Sequence, residues 1–559
     1  MVSVNEPSEV SAQNALARIV IPNIDDVRGY ITLPMALEGI PETPITWSSS
    51  DPDIVSDKPI GKVAPGLVRR PPVGGEPAQV TLTASIAIET GQETTKKISR
   101  DFQVAVQPSV KLAPFSRYGM VNFARSNCHG GQQIYMAYSI GNDPTRWKAA
   151  NNGHAILTST KGMHAVRDPS IIRSPEGDKF YLLATDLNVD GVEHGWRGWE
   201  WAQSGASRYI EVWESRDLRT WSEQRHVLVA PQEAGMAFAP EAIWDPEIGA
   251  YVVFWTSSMY PAETYFTGDP NDPKRRHPLS RNQTLYATTR DFVTFTPAKV
   301  MSGRPNHGTL DACMIREEET GYYHRFVCDR ISTGVGVTRY AADCPVDDIY
   351  QERSKQVLAS EKDWQLVASC ITHMNMDTVY AEAPLVLQAN PGDPRGRGYY
   401  LFSDQIWAGS PAGRPMEEQL HPYWTSELSS GQWTPIEWTQ KPEYDGCNGV
   451  IRHGTIINLT SAEHAVVRGA DLVSLTIHLP SKLAYSVGER LDSSDLVVTA
   501  KYCDAVTEPL GEGYGGYILS GSGPWFTPGK HTVVVSYTLW EVTQTASFNI
   551  DVRERPITL

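Results

Sequence analysis

The chain has no uninterrupted run of about 18 apolar residues, so no stretch of it reads as a membrane-spanning helix. It has no surplus of positive charge either. Its 49 Lys and Arg face 65 Asp and Glu, a formal net charge of −16, and that balance argues against nucleic acid or an anionic membrane surface as a partner. Helix-type periodicity of apolar residues is scarce. The cysteines (Cys128, Cys313, Cys328, Cys344, Cys370, Cys447 and Cys503) are scattered, with no CxxC or paired-histidine spacing, so no zinc or redox motif is present. Cys328 with Cys344, or Cys313 with a neighbour, are the disulfide candidates in an exported chain, and buried free thiols are the alternative.

What is present is aromatic and repetitive. With 16 Trp and 24 Tyr among 559 residues, the chain is too long for one core and suits two to four β-rich domains. A motif returns through its middle: a polar residue, a short apolar strand, a Gly-containing turn and a second, aromatic strand. Arg167-Asp168-Pro169-Ser170-Ile171-Ile172 leads to Phe180-Tyr181-Leu182-Leu183, and Ala239-Pro240-Glu241-Ala242-Ile243 leads to Tyr251-Val252-Val253-Phe254. Asp311-Ala312-Cys313-Met314-Ile315 leads to Tyr322-Tyr323-His324, and Glu382-Ala383-Pro384-Leu385 leads to Tyr399-Tyr400-Leu401. His453-Gly454-Thr455-Ile456-Ile457 is a fifth start. Counted from Asp168, Glu241, Asp311, Glu382 and His453, the steps are 73, 70, 71 and 71 residues, the mark of a repeat architecture.

A second echo, at 214–221, 289–295 and 427–433, marks a third strand in each unit. It also precedes the first unit, at 139–147. Residues 119–166 therefore supply strands two to four of a blade whose first strand comes from 453–459. The prediction is a five-bladed β-propeller over 112–462, closed by pairing its two ends. After a loose polar tail at 1–14, period-two strands at 17–21, 29–33, 45–50, 78–84 and 102–106 predict a β-sandwich over 15–110. Similar strands at 473–479, 496–502, 532–537 and 546–550 predict a second sandwich over 465–559. The expected fold class is all-β throughout.

In a propeller the first strand of every blade lines the central channel, and all enter from one face. Asp168, Glu241, Asp311, Glu382 and His453 are therefore expected to converge on one pocket. Carboxylates gathered there oppose one another's ionisation. That suits chemistry in which one carboxylate activates water while another delivers a proton. Long loops on the same face carry Trp196, Trp199 and Trp201, then Tyr260, Tyr265 and Phe266, then Trp407. They are expected to wall the pocket with rings that stack on sugars.

The propeller segment resembles glycoside hydrolase family 43 at Arg167-Asp168-Pro169-Ser170, at Glu382-Ala383-Pro384, and at Leu310-Asp311-Ala312, which lacks the family's proline. The resemblance implies an inverting hydrolase with Asp168 as general base, Asp311 as the carboxylate that tunes and orients, and Glu382 as general acid. Inversion predicts base and acid roughly 6.5–9.5 Å apart. Where the family commonly has Trp-Ala-Pro-Asp, this chain has Phe238-Ala239-Pro240-Glu241, and the longer side chain makes Glu241 a competing acid. Glu241, Phe238, Asp186, Trp199 and Trp407 are the expected substrate contacts. No cofactor is expected for the chemistry. A structural Ca2+ in the channel, met by His453 through water, is a further implication.

The flanking segments resemble bacterial immunoglobulin-like modules at 45–54 and 485–489, which implies scaffolding or contact with cell wall or glycan. The opening Met-Val-Ser-Val-Asn-Glu has no basic and apolar leader pattern. With these modules, the expected location is extracellular or on a bacterial cell surface, the signal having been removed. The expected activity is exo-acting release of terminal furanosyl or pentosyl residues from plant or microbial polysaccharide, as an α-L-arabinofuranosidase or β-D-galactofuranosidase. The alternatives are a β-xylosidase of the same family, a non-catalytic glycan-binding propeller, and a β-fructosidase. The Asn-Asp-Pro-Asn and Glu-Cys motifs of the last are absent from matching positions.

Overall fold

The computed structural model describes residues 9–36, 44–89, 95–124, 130–189, 197–260, 281–302, 307–330, 340, 343–406, 418–446, 451–539 and 542–555. Four antiparallel sheets of four strands follow one another along its middle. The first runs Val166–Arg173, Phe180–Asp186, Tyr209–Ser215 and Arg225–Leu228; the second Phe238–Asp245, Ala250–Met259, Arg281–Thr289 and Lys299–Ser302. The third runs Thr309–Glu317, Tyr322–Asp329, Asp348–Ser354 and Gln365–Ala368; the fourth Tyr380–Gln388, Tyr399–Ile406, Glu418–Thr425 and Thr434–Pro435. The fifth borrows its inner strand, Gly454–Leu459, from the far end and pairs it with Arg117–Phe123, Gly454 opposite Asn122 and Leu459 opposite Arg117. Ile134–Ser139 and Trp147–Ala149 complete that sheet. The five-bladed propeller and its mode of closure are as expected, and closure leaves no inner edge unpaired.

The third-strand echo has a local cause. In Ser215–Trp221 and Thr289–Phe295 an aspartate two residues on, Asp217 or Asp291, accepts from the backbone N–H groups of Arg219 and Thr220, or of Val293 and Thr294. These side-chain turns hold Leu218 and Phe292 left-handed, so each buries its side chain beneath the corner. The repeated Asp is thus a turn former, not a ligand.

The phase of the repeat differs from expectation. Each of the first four inner strands carries one extra residue against its partner strand, and a bulge residue there is left-handed: Asp168 (φ 49°), Ala239 (47°), Asp311 (45°) and Ala383 (55°). Each such residue costs about 1–2 kcal/mol of backbone strain. The equivalent ring positions are therefore 168, 239, 311, 383 and 453, in steps of 71, 72, 72 and 70. Glu241 lies two residues past its bulge and Glu382 one residue before its own, so the five titratable residues do not share one register.

The amino-terminal unit is leaner than a sandwich. Only Ile45–Ser49, Ala78–Glu89 and Thr95–Val106 form its sheet. Residues 9–14, expected to be loose, belong to the helix Glu9–Ala17. The strands expected at 17–21 and 29–33 are not formed. Ile19, Ile21, Ile31 and Leu33 are buried alternately as the period-two pattern requires, but the extended chain covers the sheet without joining it. Alternation reports an extended, half-buried backbone, and ladder pairing is a separate matter. This unit docks on the propeller through Asp178, whose wholly buried carboxylate accepts from Arg28 Nη1 (2.8 Å) and Arg70 Nη2 (2.7 Å). Asp178→Ala takes the carboxylate from the buried Arg70 and leaves Arg28 with Asp26 alone, and is expected to cost about 3–5 kcal/mol, read by calorimetric unfolding.

The carboxy-terminal unit is a sandwich as expected, a three-stranded sheet facing a four-stranded one. It is joined to the propeller by the helix Ser461–Arg468, opened by a capping box between Thr460 and Glu463. Glu463 also accepts from Arg173 of the first blade. Among the described residues the disulfide is Cys344–Cys370, not a pairing of Cys328 or Cys313, which are buried free thiols. Cys128 and Cys447 lie outside the described residues. Among the described residues, no helix is long and apolar enough to cross a membrane.

Candidate active site

A cavity of about 350 Å3 opens where the inner strands begin, and its lining includes Asp168, Asp311, Glu382 and His453. The bulges put them there. A left-handed residue at the start of the strand turns the Asp168 and Asp311 side chains out of the ladder and into the ring's centre. Phe238 and Trp199 also line the cavity, and Trp199 is 52% exposed at its rim. Trp407, Trp196, Tyr265 and Phe266 lie outside the described residues.

Two expected contacts are elsewhere. Glu241 does not line the cavity. Its carboxylate accepts from Ser170 Oγ at 3.1 Å, both residues being two places past their bulges and so deeper in the channel. Burial pushes its carboxyl up to about 7. Glu241 thus stands apart from Asp168, Asp311 and Glu382 at the cavity. Asp186 is buried outside the cavity, beside Glu211 and His226, and accepts from the Met163 N–H at 2.7 Å.

Both oxygens of Asp168 are held. Thr185 Oγ1 donates to Oδ2 at 3.0 Å, and His453 Nδ1 lies 3.4 Å from Oδ1. Burial would raise the carboxyl, but the His453 imidazolium, Arg167 and the Thr185 hydroxyl outweigh it and hold Asp168 below the usual aspartate range. His453 responds in kind: burial lowers it, yet Asp168 and the neighbouring Asp311 and Asp404 bring it up to about 9. The pair's contribution to stability is lost on acidification through the depressed Asp168 value and on alkalinisation through about 9.

Asp311 is the counterpart. Burial, then the charges of Glu382 and Asp168, push it up to about 7 against the pull of His453. A carboxyl whose folded value is raised destabilises the fold once ionised, and the loss develops as pH climbs from about 4 to about 7. Asp311→Asn is therefore expected to be more stable than the wild type at pH 8 by about 2–4 kcal/mol and nearly equal to it at pH 4. Thermal melts at the two pH values check it.

Residues absent from the sequence-based set complete the site. Glu382 receives the Tyr380 hydroxyl, with Arg330 Nη1 at 3.4 Å and Arg452 Nη2 at 3.5 Å. Asp404 accepts from Arg452 Nε (2.9 Å) and from the His453 backbone N–H (3.1 Å). Arg167 stacks on Phe123, 4.3 Å from its centroid, and donates to Gln132. A regularity underlies these contacts. The second-strand side chain opposite the pre-bulge residue accepts from the backbone of the next blade: Thr185 from Ala239 N, Thr256 from Asp311 N, Asp404 from His453 N. The first, second and fourth blades thus each fix the start of the next blade's inner strand.

Fold and site together define a propeller with a carboxylate-lined pocket of hydrolase type. The chain belongs to the glycosyl hydrolase family related to family 43: that family's model, described as "Probable glycosyl hydrolase domain", matches residues 113–465. An "Atrophied bacterial Ig domain" model matches residues 11–109, in keeping with the reduced sheet found there. Among curated proteins the chain is similar to an α-L-arabinofuranosidase of Bifidobacterium longum subsp. longum, 28% identical over 544 residues, covering 85% of this chain and 46% of that protein. The chain spans about half the length of this curated relative. Among solved structures it is similar to a thermostable family-43 glycoside hydrolase (13% identity, 68% of this chain and 92% of that one, TM-score 0.31). It is also similar to an α-L-arabinofuranosidase from Podospora anserina in complex with cellotriose (15% identity, 54% and 80%, TM-score 0.32).

Proposed function

We propose that the chain is an inverting, exo-acting glycosidase that removes terminal α-L-arabinofuranosyl residues. One observation carries this. Asp168 of the first blade and Glu382 of the fourth, which are not neighbouring blades, line a single cavity with His453 of the intervening fifth blade. Asp168, held ionised, takes a proton from a water that attacks the anomeric carbon. The bond from that carbon to the leaving oxygen breaks, and Glu382 gives the oxygen its proton. The configuration inverts. Asp311, which keeps its proton to about pH 7, limits the negative charge beside Glu382. The activity is expected to fall above that pH.

A cavity of about 350 Å3 is at the small end for ligand sites and suits one terminal sugar, which is why the reading is exo. The arabinofuranosyl preference follows the curated relative's name. A second reading makes Asp311 the acid, favoured by its retained proton. The test is a panel of nitrophenyl α-L-arabinofuranoside, β-D-galactofuranoside and β-D-xyloside, with a branched arabinan beside it. The arabinofuranoside is expected to turn over fastest, and the polymer is expected to release monosaccharide only. Oligomer release would overturn the exo reading. Retention of the polymer without turnover of any glycoside would leave only a glycan-binding propeller.

A further inference from the structure

Thr185 does more than its counterparts in the ring of inter-blade contacts. Its side chain is wholly buried on the second strand of the first blade, opposite Arg167 and beside the bulge that carries Asp168. Its Oγ1 accepts from the Ala239 N–H of the second blade at 2.7 Å and stands 3.0 Å from Asp168 Oδ2. Thr256, the equivalent residue one blade on, accepts from Asp311 N in the same manner at 3.0 Å, but no carboxylate is its acceptor among the described residues. A hydroxyl has a single proton. With a backbone N–H occupying one side of the oxygen, that proton is left to point at the carboxylate.

We propose that Thr185 is the positioning residue of the base: the second blade fixes its hydroxyl, and the hydroxyl fixes the Asp168 carboxylate as a hydrogen-bond acceptor aimed at the cavity. This rests on the reading of Asp168 as the base. The carboxylate is then oriented from three blades: its own strand, the second blade through Thr185, and the fifth through His453 on the other oxygen. The charged groups facing it are His453 from the fifth blade, Arg167 from its own strand and Asp311 from the third blade. Thr185 is the neutral member of this set, so its contribution is directional. A buried donor held ready before substrate arrives needs no reorganisation when the base takes its proton.

The experiment compares Thr185→Val, which keeps the shape and removes the donor, with Thr185→Ser, which keeps the donor. The readout is the pH profile of kcat/KM on the fastest glycoside, alongside melting temperature. The valine variant is expected to shift the acidic limb upward by about one pH unit, because a donor to the ionised form is lost. Its kcat/KM at the optimum is expected to fall about tenfold or more. The serine variant is expected to keep the wild-type limb. A role in packing alone would lower the melting temperature and leave the limb in place. That outcome overturns the proposal. Should valine prevent folding, Thr185→Ala is read the same way, and an unmoved limb there is equally fatal. Asp168→Asn separates the two levels: an active Asp168→Asn protein refutes the base reading, whereas an inactive one beside an unmoved Thr185→Val limb refutes only the role of Thr185.

Discussion

Asp168→Asn is expected to lower kcat/KM by about 10³–10⁴-fold and to leave the fold intact. Asparagine tolerates the left-handed φ of 49° at this position, so the bulge survives. The amide oxygen still accepts from Thr185. What disappears is the anion that receives the proton of the attacking water and that keeps His453 charged. Losing base and counter-ion together removes one working unit, so the effect is not the sum of two smaller ones. Azide, a small anion that needs no base, is expected to restore part of the turnover by attacking in the water's place. Wild-type rates in the Asp168→Asn protein, measured on the fastest glycoside, would refute the assignment.

Glu382→Gln is expected to act selectively. With a sugar or alkyl leaving group, kcat/KM should fall about 10³-fold, since the departing oxygen then needs its proton. With a dinitrophenyl leaving group, which departs as a stable anion, the loss should be less than about tenfold. Glutamine retains a carbonyl for the Tyr380 hydroxyl, so the site should stay assembled. The same leaving-group series run on Asp311→Asn decides between the two candidates for the acid. If the selectivity appears there instead, the proton retained by Asp311 to about pH 7 is the catalytic one, and Glu382 is a binding residue held by Arg330 and Arg452.

The propeller was legible because its closure is written twice, in the strand echo before Arg167 and in the apolar run after His453. The phase was less legible. Counting from titratable residues placed Glu241 with Asp168, whereas the bulge places Ala239 there, and a bulge depends on pairing across strands that one strand's composition does not reveal. That slip of two residues is the whole difference between a cavity residue and one hydrogen-bonded to Ser170 deeper in the channel. Asp404 lies on a second strand and Arg330 just past one, while Tyr380 and Arg452 stand at inner-strand starts but outside the phase of the repeat. A signal for Asp404 was available, since Thr185, Thr256 and Asp404 recur at the same point of the second strands. Arg330 and Arg452 meet Glu382 only through tertiary closure. In the amino-terminal unit, Ile19, Ile21, Ile31 and Leu33 are buried in alternation without strand pairing, because extended chain without a partner shows the same alternation.

The most direct test of the central claim, that Asp168 and Glu382 act across one cavity with water between them, is the anomeric configuration of the sugar first released. Proton NMR during the first minutes of turnover of the fastest nitrophenyl glycoside resolves it before mutarotation. An inverted product is predicted. A retained product would mean that a carboxylate attacks the sugar itself, which contradicts the account.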